Sequence, residues 1–122
     1  MAKRILLVDD SSSVRQVAGI ALRRAGYDTL EAANGREALD FLDGPKLSLM
    51  ISDVNMPVMN GIEFLKAAKQ HPTCKFTPVI MLTTEAGDDL KAQARAAGAK
   101  AWIVKPFQPQ ALVDAVAKLI IS

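Results

Sequence analysis

Five short apolar runs of β type alternate with longer stretches of helical period, and this alternation limits the possible folds more than any other feature of the sequence. It is typical of a parallel sheet covered by helices. The third, fourth and fifth runs are almost entirely apolar, as strands buried on both faces must be. The predicted strands cover residues 4–8, 28–32, 49–52, 79–82 and 101–104.

The segments between these strands predict five helices that carry ordinary start and stop signals. Asn34, Asn60 and a serine at 11 or 12 stand where an N-cap is expected, and Gly26 and Gly98 follow predicted helix ends. The sequence therefore predicts one α/β domain over residues 1–122, a doubly wound (βα)5 unit without an output domain. The predicted helices cover residues 12–25, 35–43, 61–70, 88–97 and 109–120.

Length and composition exclude several classes of protein. The 122 residues, of which 50% are hydrophobic, suffice for one core but not for a second domain. The net charge of +2 comes from interleaved basic and acidic residues, so we expect no nucleic-acid partner. Only Ile5 to Val8 follow the basic start at Met1 to Arg4, which is too short for export or membrane insertion. We expect a cytoplasmic monomer.

We assign no functional site to two other residues. Cys74 is the only cysteine and cannot form an internal disulfide, which agrees with a reducing compartment, and we expect a free surface thiol. His71, directly before Pro72, shows no acidic or sulfur partner in the sequence.

The unusual polar residues fall at the carboxyl ends of the predicted strands, where an open α/β sheet binds its ligands. Asp9 and Asp10 follow the first strand, Asp53 the third, Thr83 the fourth and Lys105 the fifth. The second strand ends without such a residue, which an edge position would explain. We therefore expect the five side chains to meet at one edge of the sheet.

Three of these side chains are carboxylates, and their convergence points to a cation. Taken singly, each aspartate could belong to a turn or a helix cap. Together, each close like-charged pair costs about 4 kcal/mol at an effective dielectric near 20, and a bound cation would offset that cost. Oxygen ligands without histidine or cysteine favour a hard ion, and Mg²⁺, which keeps several waters, fits better than Ca²⁺.

Thr83 and Lys105 suit a multiply negative group beside such a cation, above all a phosphoryl group. With its oxygens bound by the metal, the lysine and the hydroxyl, the carboxylate of Asp53 could attack phosphorus and form an acyl phosphate. The sequence thus indicates phosphoryl transfer to an aspartate.

At this point the sequence resembles the receiver domains of two-component response regulators, and among them the stand-alone regulators of chemotaxis. The resemblance covers the whole chain, and it implies a flavodoxin-like sheet with the strand order 2-1-3-4-5. It rests on four motifs taken together: LVDD at 7–10, ISDVNMP at 51–57 with NG at 60–61, LTTEA at 82–86, and VKPF at 104–107.

The resemblance implies a role for each site residue. Asp53 is implied to be the phosphoacceptor. Asp10 and Asp53 would bind Mg²⁺ directly, together with the backbone carbonyl of Asn55, while Asp9 would act through water. Lys105 would bind the phosphoryl group, and the peptide bond that follows it would be cis.

Four positions concern switching and the lifetime of the phosphoryl group. Thr84 stands where receivers usually have a small residue, so its branched side chain could narrow access to the site. Asn55 and Glu85 occupy positions that tune water access, and their pairing implies a lifetime of seconds to minutes. Trp102 stands at the aromatic switch position, and strand alternation directs it towards the fourth and fifth helices. Plain core packing of this indole is the alternative.

We therefore predict a signalling switch that catalyses only its own phosphorylation and dephosphorylation. A histidine kinase would supply the phosphoryl group, and a target protein would read the surface formed by the fourth helix, fifth strand and fifth helix. Control of chemotaxis and motility is the pathway that the resemblance implies. A phosphorelay intermediate or a phosphate sink would use the same residues. Asn55 argues against a haloacid-dehalogenase-type phosphatase, which needs an aspartate there, and Asp9 and Asp10 argue against an FMN carrier.

Overall fold

The computed structural model describes residues 3–85 and 87–120, and it contains one parallel five-stranded sheet in the order β2-β1-β3-β4-β5. Fold class and strand order are therefore as predicted. Met1, Ala2 and Ala86, which entered the sequence predictions, lie outside the described residues. The strands are β1 (Arg4–Val8), β2 (Asp28–Ala32), β3 (Leu49–Ser52), β4 (Val79–Thr83) and β5 (Ala101–Val104).

Five helices connect and follow these strands, and most of their bounds differ from prediction by one residue or none. The exception is α2, which ends at Leu39 because Phe41 and Leu42 continue the chain in tighter turns with hydrogen bonds to carbonyls three residues back. The helices are α1 (Ser12–Arg24), α2 (Gly35–Leu39), α3 (Gly61–Gln70), α4 (Asp88–Ala96) and α5 (Pro109–Leu119).

The predicted caps are present at three helix starts. The side chains of Ser11, Asn34 and Asn60 accept hydrogen bonds from backbone N–H groups of the first turn, and Asn60 forms a full capping box with Glu63. Because Asn60 starts α3 directly after the loop from β3, this cap helps to place the loop that leaves the site.

The core consists of two layers, one on each face of the sheet. Strand residues alternate between them, so β3 places Met50 on one face and Ile51 on the other. The first layer contains side chains of α2, α3 and α4, including Phe64, and the second contains Leu22 of α1 and Leu112 of α5. Both faces are covered, which explains why the inner strands carry no polar alternation.

The structure contradicts the prediction that Cys74 is a surface thiol. Its side chain is 3% exposed and packs in the first core layer, with Sγ 3.9 Å from the Leu42 carbonyl, so it is a buried thiol and not a surface one. Within residues 3–85 and 87–120, no helix has the length and apolar character that a membrane crossing requires.

Candidate active site

Three carboxylates meet at the carboxyl edge of the sheet. One oxygen from each of Asp9, Asp10 and Asp53 lies within 4.8 Å of the other two. They meet because β1 and β3 are neighbours in a register that aligns Val8 with Ser52. Asp9 and Asp53 are 4% and 6% exposed, whereas Asp10 faces solvent. The site is thus a buried pair of carboxylates with a third at its rim.

Lys105 lies between the two buried carboxylates. Its Nζ donates to Asp9 Oδ2 at 2.6 Å and to Asp53 Oδ2 at 3.1 Å, and its side chain is 12% exposed. Thr83, at the end of β4, is fully buried, and its backbone carbonyl accepts a hydrogen bond from the Lys105 N–H at 2.8 Å. The lysine therefore supplies a positive charge to the carboxylate cluster within the protein itself, which the sequence did not indicate.

Burial and charge act in opposite directions on this ion pair. Burial raises the pKa of the Asp9 carboxyl, and the hydrogen bonds from Lys105 and Ser11 offset this only in part. For Lys105, burial alone would lower the pKa, but hydrogen bonding and the charges of Asp9 and Asp53 outweigh it, so its pKa is raised. The raised pKa of the Asp9 carboxyl favours its neutral form, whereas the raised pKa of Lys105 favours its charged form. The distance of 2.6 Å between Lys105 Nζ and Asp9 Oδ2 favours an ion pair in which both groups are charged.

The Asp53 carboxylate is oriented by its own loop. Oδ1 accepts a hydrogen bond from the backbone N–H of Val54 at 2.7 Å, while Oδ2 faces Lys105. Gly61 allows α3 to begin very close to this residue, because a Cβ there would lie 1.9 Å from the Asp53 carbonyl oxygen. Any other residue at 61 would push the helix away from the loop.

The unused oxygens of the site fit a hard divalent cation. In the part of the chain that the structure describes, the Asp10 carboxylate has no hydrogen-bond partner or ion pair, and the Asn55 carbonyl accepts no hydrogen bond. Both oxygens are therefore open to a further ligand. A set of carboxylate and carbonyl oxygens is what Mg²⁺ prefers, so the residues present fit that ion.

Glu85 connects the residues that were predicted to control switching. Its backbone N–H donates to Thr83 Oγ1 at 3.2 Å, its carboxylate accepts from the Asn55 side chain at 2.5 Å, and its carbonyl accepts from Trp102 Nε1 at 3.0 Å. The sequence indicated a role for its side chain alone. Its backbone contacts join the buried hydroxyl beside the site to the indole of β5.

Trp102 packs in the first core layer, together with side chains of α3 and α4. The prediction that it faces the fourth helix is right. The prediction that it also faces the fifth helix is wrong, because Leu112 and Val116 of α5 lie in the other layer with α1. Strand alternation indicates a face of the sheet but not which helices cover it.

Thr84 lies exposed at the mouth of an apolar groove beside the site. The groove has a volume of about 360 Å³ and also contains Lys105, Phe107, Val14 and Val17. Thr84 and Lys105 therefore line the same groove.

Two further predictions concern the peptide bond before Pro106 and the surroundings of His71, and the structure confirms only the first. The Lys105–Pro106 peptide bond is cis, as expected. His71 does have an acidic partner, since its Nε2 lies 2.8 Å from Asp43 Oδ1. These two residues are 28 positions apart, so no local pattern connects them.

Two residues near the site were missed altogether. Arg15 Nη1 donates to the backbone carbonyl of Asp9, and its Nε donates to Glu31 at the end of β2. The signal was an arginine in the first turns of α1, five residues after Asp10, with an acidic residue near the end of the neighbouring strand.

Comparison with known proteins identifies the family. The family model described as "Response regulator receiver domain" matches residues 5–117. The chain belongs to this family. Receivers are domains of two-component signalling and act as switches, and both the fold and the acidic cluster of this receiver agree with that assignment.

Relatives of this receiver include chemotaxis regulators. The chain is 43% identical to the chemotaxis protein CheY1 of Helicobacter pylori over 113 residues, 91% of each chain. It is 38% identical to CheY of Pseudomonas aeruginosa over 117 residues, 95% of this chain and 94% of the relative. The structure of CheY4 from Vibrio cholerae superposes with a TM-score of 0.94 at 44% identity, covering 98% of this chain and 100% of that one.

Proposed function

We propose that this receiver is a Mg²⁺-dependent switch in which Asp53 accepts a phosphoryl group from the phosphohistidine of a kinase. The observation that carries the proposal is the position of the Asp53 carboxylate, which lies 3.1 Å from Lys105 Nζ and shares a cluster within 4.8 Å with Asp9 and Asp10. A nucleophile, a cation and open metal-ligand oxygens are thereby combined at one strand edge.

The metal ligands in this proposal are the carboxylates of Asp10 and Asp53 and the carbonyl of Asn55. Asp9 acts through water, as the resemblance to other receivers implies, and its two carboxylate oxygens accept hydrogen bonds from Ser11 and Lys105. When bound, Mg²⁺ supplies positive charge to the phosphoryl oxygens during transfer.

During transfer, an Asp53 carboxylate oxygen forms a bond to phosphorus while the phosphorus–nitrogen bond to histidine breaks and the nitrogen keeps the electron pair. Lys105 exchanges its contact with Asp53 for one with a phosphoryl oxygen. The Thr83 hydroxyl, which accepts from the Glu85 N–H before transfer, turns to donate to another phosphoryl oxygen. Loss of the group by hydrolysis is tuned by Asn55, Glu85 and Thr84.

The same hydroxyl starts the output signal in this account. When Thr83 turns to the phosphoryl group, the Glu85 N–H loses its acceptor, and the Glu85 carbonyl that holds the Trp102 indole moves with it. The phosphoryl group biases this rearrangement only as far as it prefers one packing over the other. Trp102 thereby reports phosphorylation to the surface of α4 and β5.

A target protein would read that surface by charge as well as by shape. A cavity of about 250 Å³ beside Trp102 is lined by the cations Lys91, Arg95 and Lys100. An acidic segment of the target complements these charges.

The kinase would approach from the other side, where the apolar groove with exposed Val17 borders Lys105.

Control of motility is the proposed pathway, because the named relatives are chemotaxis proteins. We propose that the protein acts as a cytoplasmic monomer without a nucleic-acid partner.

A relay intermediate or phosphate sink uses the same site. A pull-down with and without beryllofluoride separates these roles, since a motility target binds only the beryllofluoride form and a relay partner carries a phosphorylatable histidine.

The test of the proposed function uses phosphoramidate, whose phosphorus–nitrogen bond resembles that of phosphohistidine. With Mg²⁺, intact-protein mass spectrometry is expected to show one added phosphoryl group, and none in Asp53→Asn or in EDTA. Asp43→Asn is the matched control, since this exposed aspartate pairs with His71 at 2.8 Å and not with the site. Labelling that persists in Asp53→Asn would overturn the proposal.

A further inference from the structure

Arg15 on α1 links the acidic loop after β1 to the edge strand of the sheet. Its Nη1 donates to the Asp9 carbonyl oxygen at 2.5 Å, and its Nε donates to Glu31 Oε1 at 3.0 Å. Its side chain is 17% exposed and that of Glu31 41% exposed. One guanidinium group thus bridges the end of β2 and the loop that carries two carboxylates of the site.

The Asp9 carbonyl belongs to the peptide that joins Asp9 to Asp10. A peptide unit is planar, so fixing this oxygen also fixes the N–H of Asp10 and the direction of its Cα. Asp9 is anchored further by its N–H, which donates to the Ala32 carbonyl at 3.1 Å, and by the N–H of Ser11, which donates to its carboxylate at 2.9 Å.

Asp10 has no comparable anchor of its own. Among residues 3–85 and 87–120, no side chain or backbone group pairs with its carboxylate, so its position depends on the backbone that leads to it. The Asp9 carbonyl is the part of that backbone next to Asp10, and Arg15 is the group that holds it.

We propose that Arg15, aligned by Glu31, is a positioning residue that holds the Asp9–Asp10 peptide in the orientation required for divalent-cation binding. The inference rests on the metal site of the proposed function and adds a residue and a strand to it. An arginine suits this place because its planar guanidinium presents N–H donors at fixed angles to two acceptors, which the ammonium of lysine does not.

The chain offers a matched control on the same helix. Arg23 also connects α1 to β2, by donating from Nη1 to Thr29 Oγ1 at 2.9 Å, but it does so at the opposite end of both elements. Removal of either arginine deletes one helix-to-strand contact. Only removal of Arg15 frees the peptide next to Asp10.

The experiment measures Mg²⁺ affinity by calorimetry, with Mn²⁺ electron paramagnetic resonance as a second readout, and thermal melting without metal. Arg15→Ala is expected to weaken affinity about tenfold, as loss of a group that orients a metal ligand typically does, and Arg23→Ala to leave it unchanged. Arg15→Lys is expected to remain weak, and Glu31→Gln to weaken binding less than Arg15→Ala.

An Arg15→Ala affinity equal to that of the wild type would overturn the inference. A tighter affinity would do so as well, because it would show that Arg15 acts only as a charge that repels the cation. If Arg15→Ala does not fold, Glu31→Gln decides, and an unchanged affinity there rejects the role of Glu31 in aligning Arg15. A wild-type protein that binds no Mg²⁺ would instead refute the metal site of the proposed function.

Discussion

Lys105 resolves, at the scale of single residues, the repulsion that three converging carboxylates create. The sequence suggested a bound metal as the answer, and the structure adds a cation of the protein that contacts both Asp9 and Asp53. The site therefore holds together before metal or phosphoryl group arrives. The same lysine must then leave Asp53 when the phosphoryl group binds.

Replacement of this lysine is expected to be costly in the metal-free protein. Lys105→Met leaves two buried carboxylates unpaired and should lower the free energy of unfolding by about 3 kcal/mol, the effect of removing one partner of a buried ion pair. Urea unfolding without Mg²⁺ measures this, and Mg²⁺ should restore more stability to the variant than to the wild type. Lys66→Met, at an exposed position of α3, is the control, expected to change stability by less than about 0.5 kcal/mol. A Lys105→Met protein as stable as this control would show that the ion pair contributes nothing.

Thr84 is expected to control the lifetime of the phosphoryl group. Its exposed side chain lies in the groove that leads to Lys105, so Thr84→Ala should admit water more freely and speed loss of the label several-fold. Mass spectrometry after removal of the phosphodonor gives the rate. Thr84→Ser, which keeps the hydroxyl and lacks the methyl group, distinguishes shape from polarity. Equal rates in all three proteins would mean that Thr84 does not limit access.

At the scale of elements, the loop from β3 to α3 combines a close approach with a strained residue. Gly61 brings the helix against the Asp53 carbonyl, and Val58 in the same loop has φ 71° while 81% of its surface is exposed. A β-branched residue rarely adopts a left-handed backbone, and the conformation costs about 1–2 kcal/mol. Val58 therefore stores strain in the loop that follows the candidate phosphoacceptor.

Relief of this strain is expected to stabilise the protein. Val58→Asn should raise the free energy of unfolding by about 1 kcal/mol, because asparagine tolerates positive φ better than valine. Val58→Ala is the matched control, since it keeps a Cβ and should recover less. Chemical denaturation of the three proteins gives the order. A Val58→Asn protein less stable than the wild type would mean that the valine side chain makes a contact that outweighs the strain.

The elements themselves were predictable because their signals are local. Apolar runs gave the strands, and Asn60 gave a helix start three residues before its capping partner Glu63. The early end of α2 was not predicted. Asp40 and Asp43 disfavour a continued helix only weakly, through low propensity and their charge near the C-terminal end, and tighter turns replace it. Of the two helices predicted beside Trp102, the fourth was right and the fifth was wrong, because tertiary packing decides which helices cover a sheet face.

The same distinction applies to the site. The five residues at strand ends were predictable, because parallel strands bring their carboxyl ends to one edge. The Lys105–Asp9 ion pair joins residues 96 positions apart, and the three contacts of Glu85 involve its backbone as well as its side chain. Such contacts depend on the final packing of loops, which residue types alone do not encode.

At the scale of the whole molecule, the site lies at the carboxyl edge of the sheet, with one core layer on each side of it. Lys105 and Phe107 border the groove on the α1 side, while Glu85 leads to Trp102 in the layer of α3 and α4. A phosphoryl group on Asp53 would therefore lie between two sides of the molecule. One is the groove proposed for kinase binding, and the other is the series of contacts that leads through Glu85 to Trp102. In the proposed function, these two sides are coupled through Thr83 and Glu85.

The most direct test follows the indole N–H of Trp102 by nuclear magnetic resonance. Trp102 is the only tryptophan, so its indole gives a single resonance that needs no assignment by mutation. We expect beryllofluoride with Mg²⁺ to shift this resonance, because the Glu85 carbonyl that accepts its hydrogen bond moves. Asp53→Asn should abolish the shift. An unchanged indole resonance, while the Val54 amide beside Asp53 does shift, would contradict the coupling of site and output.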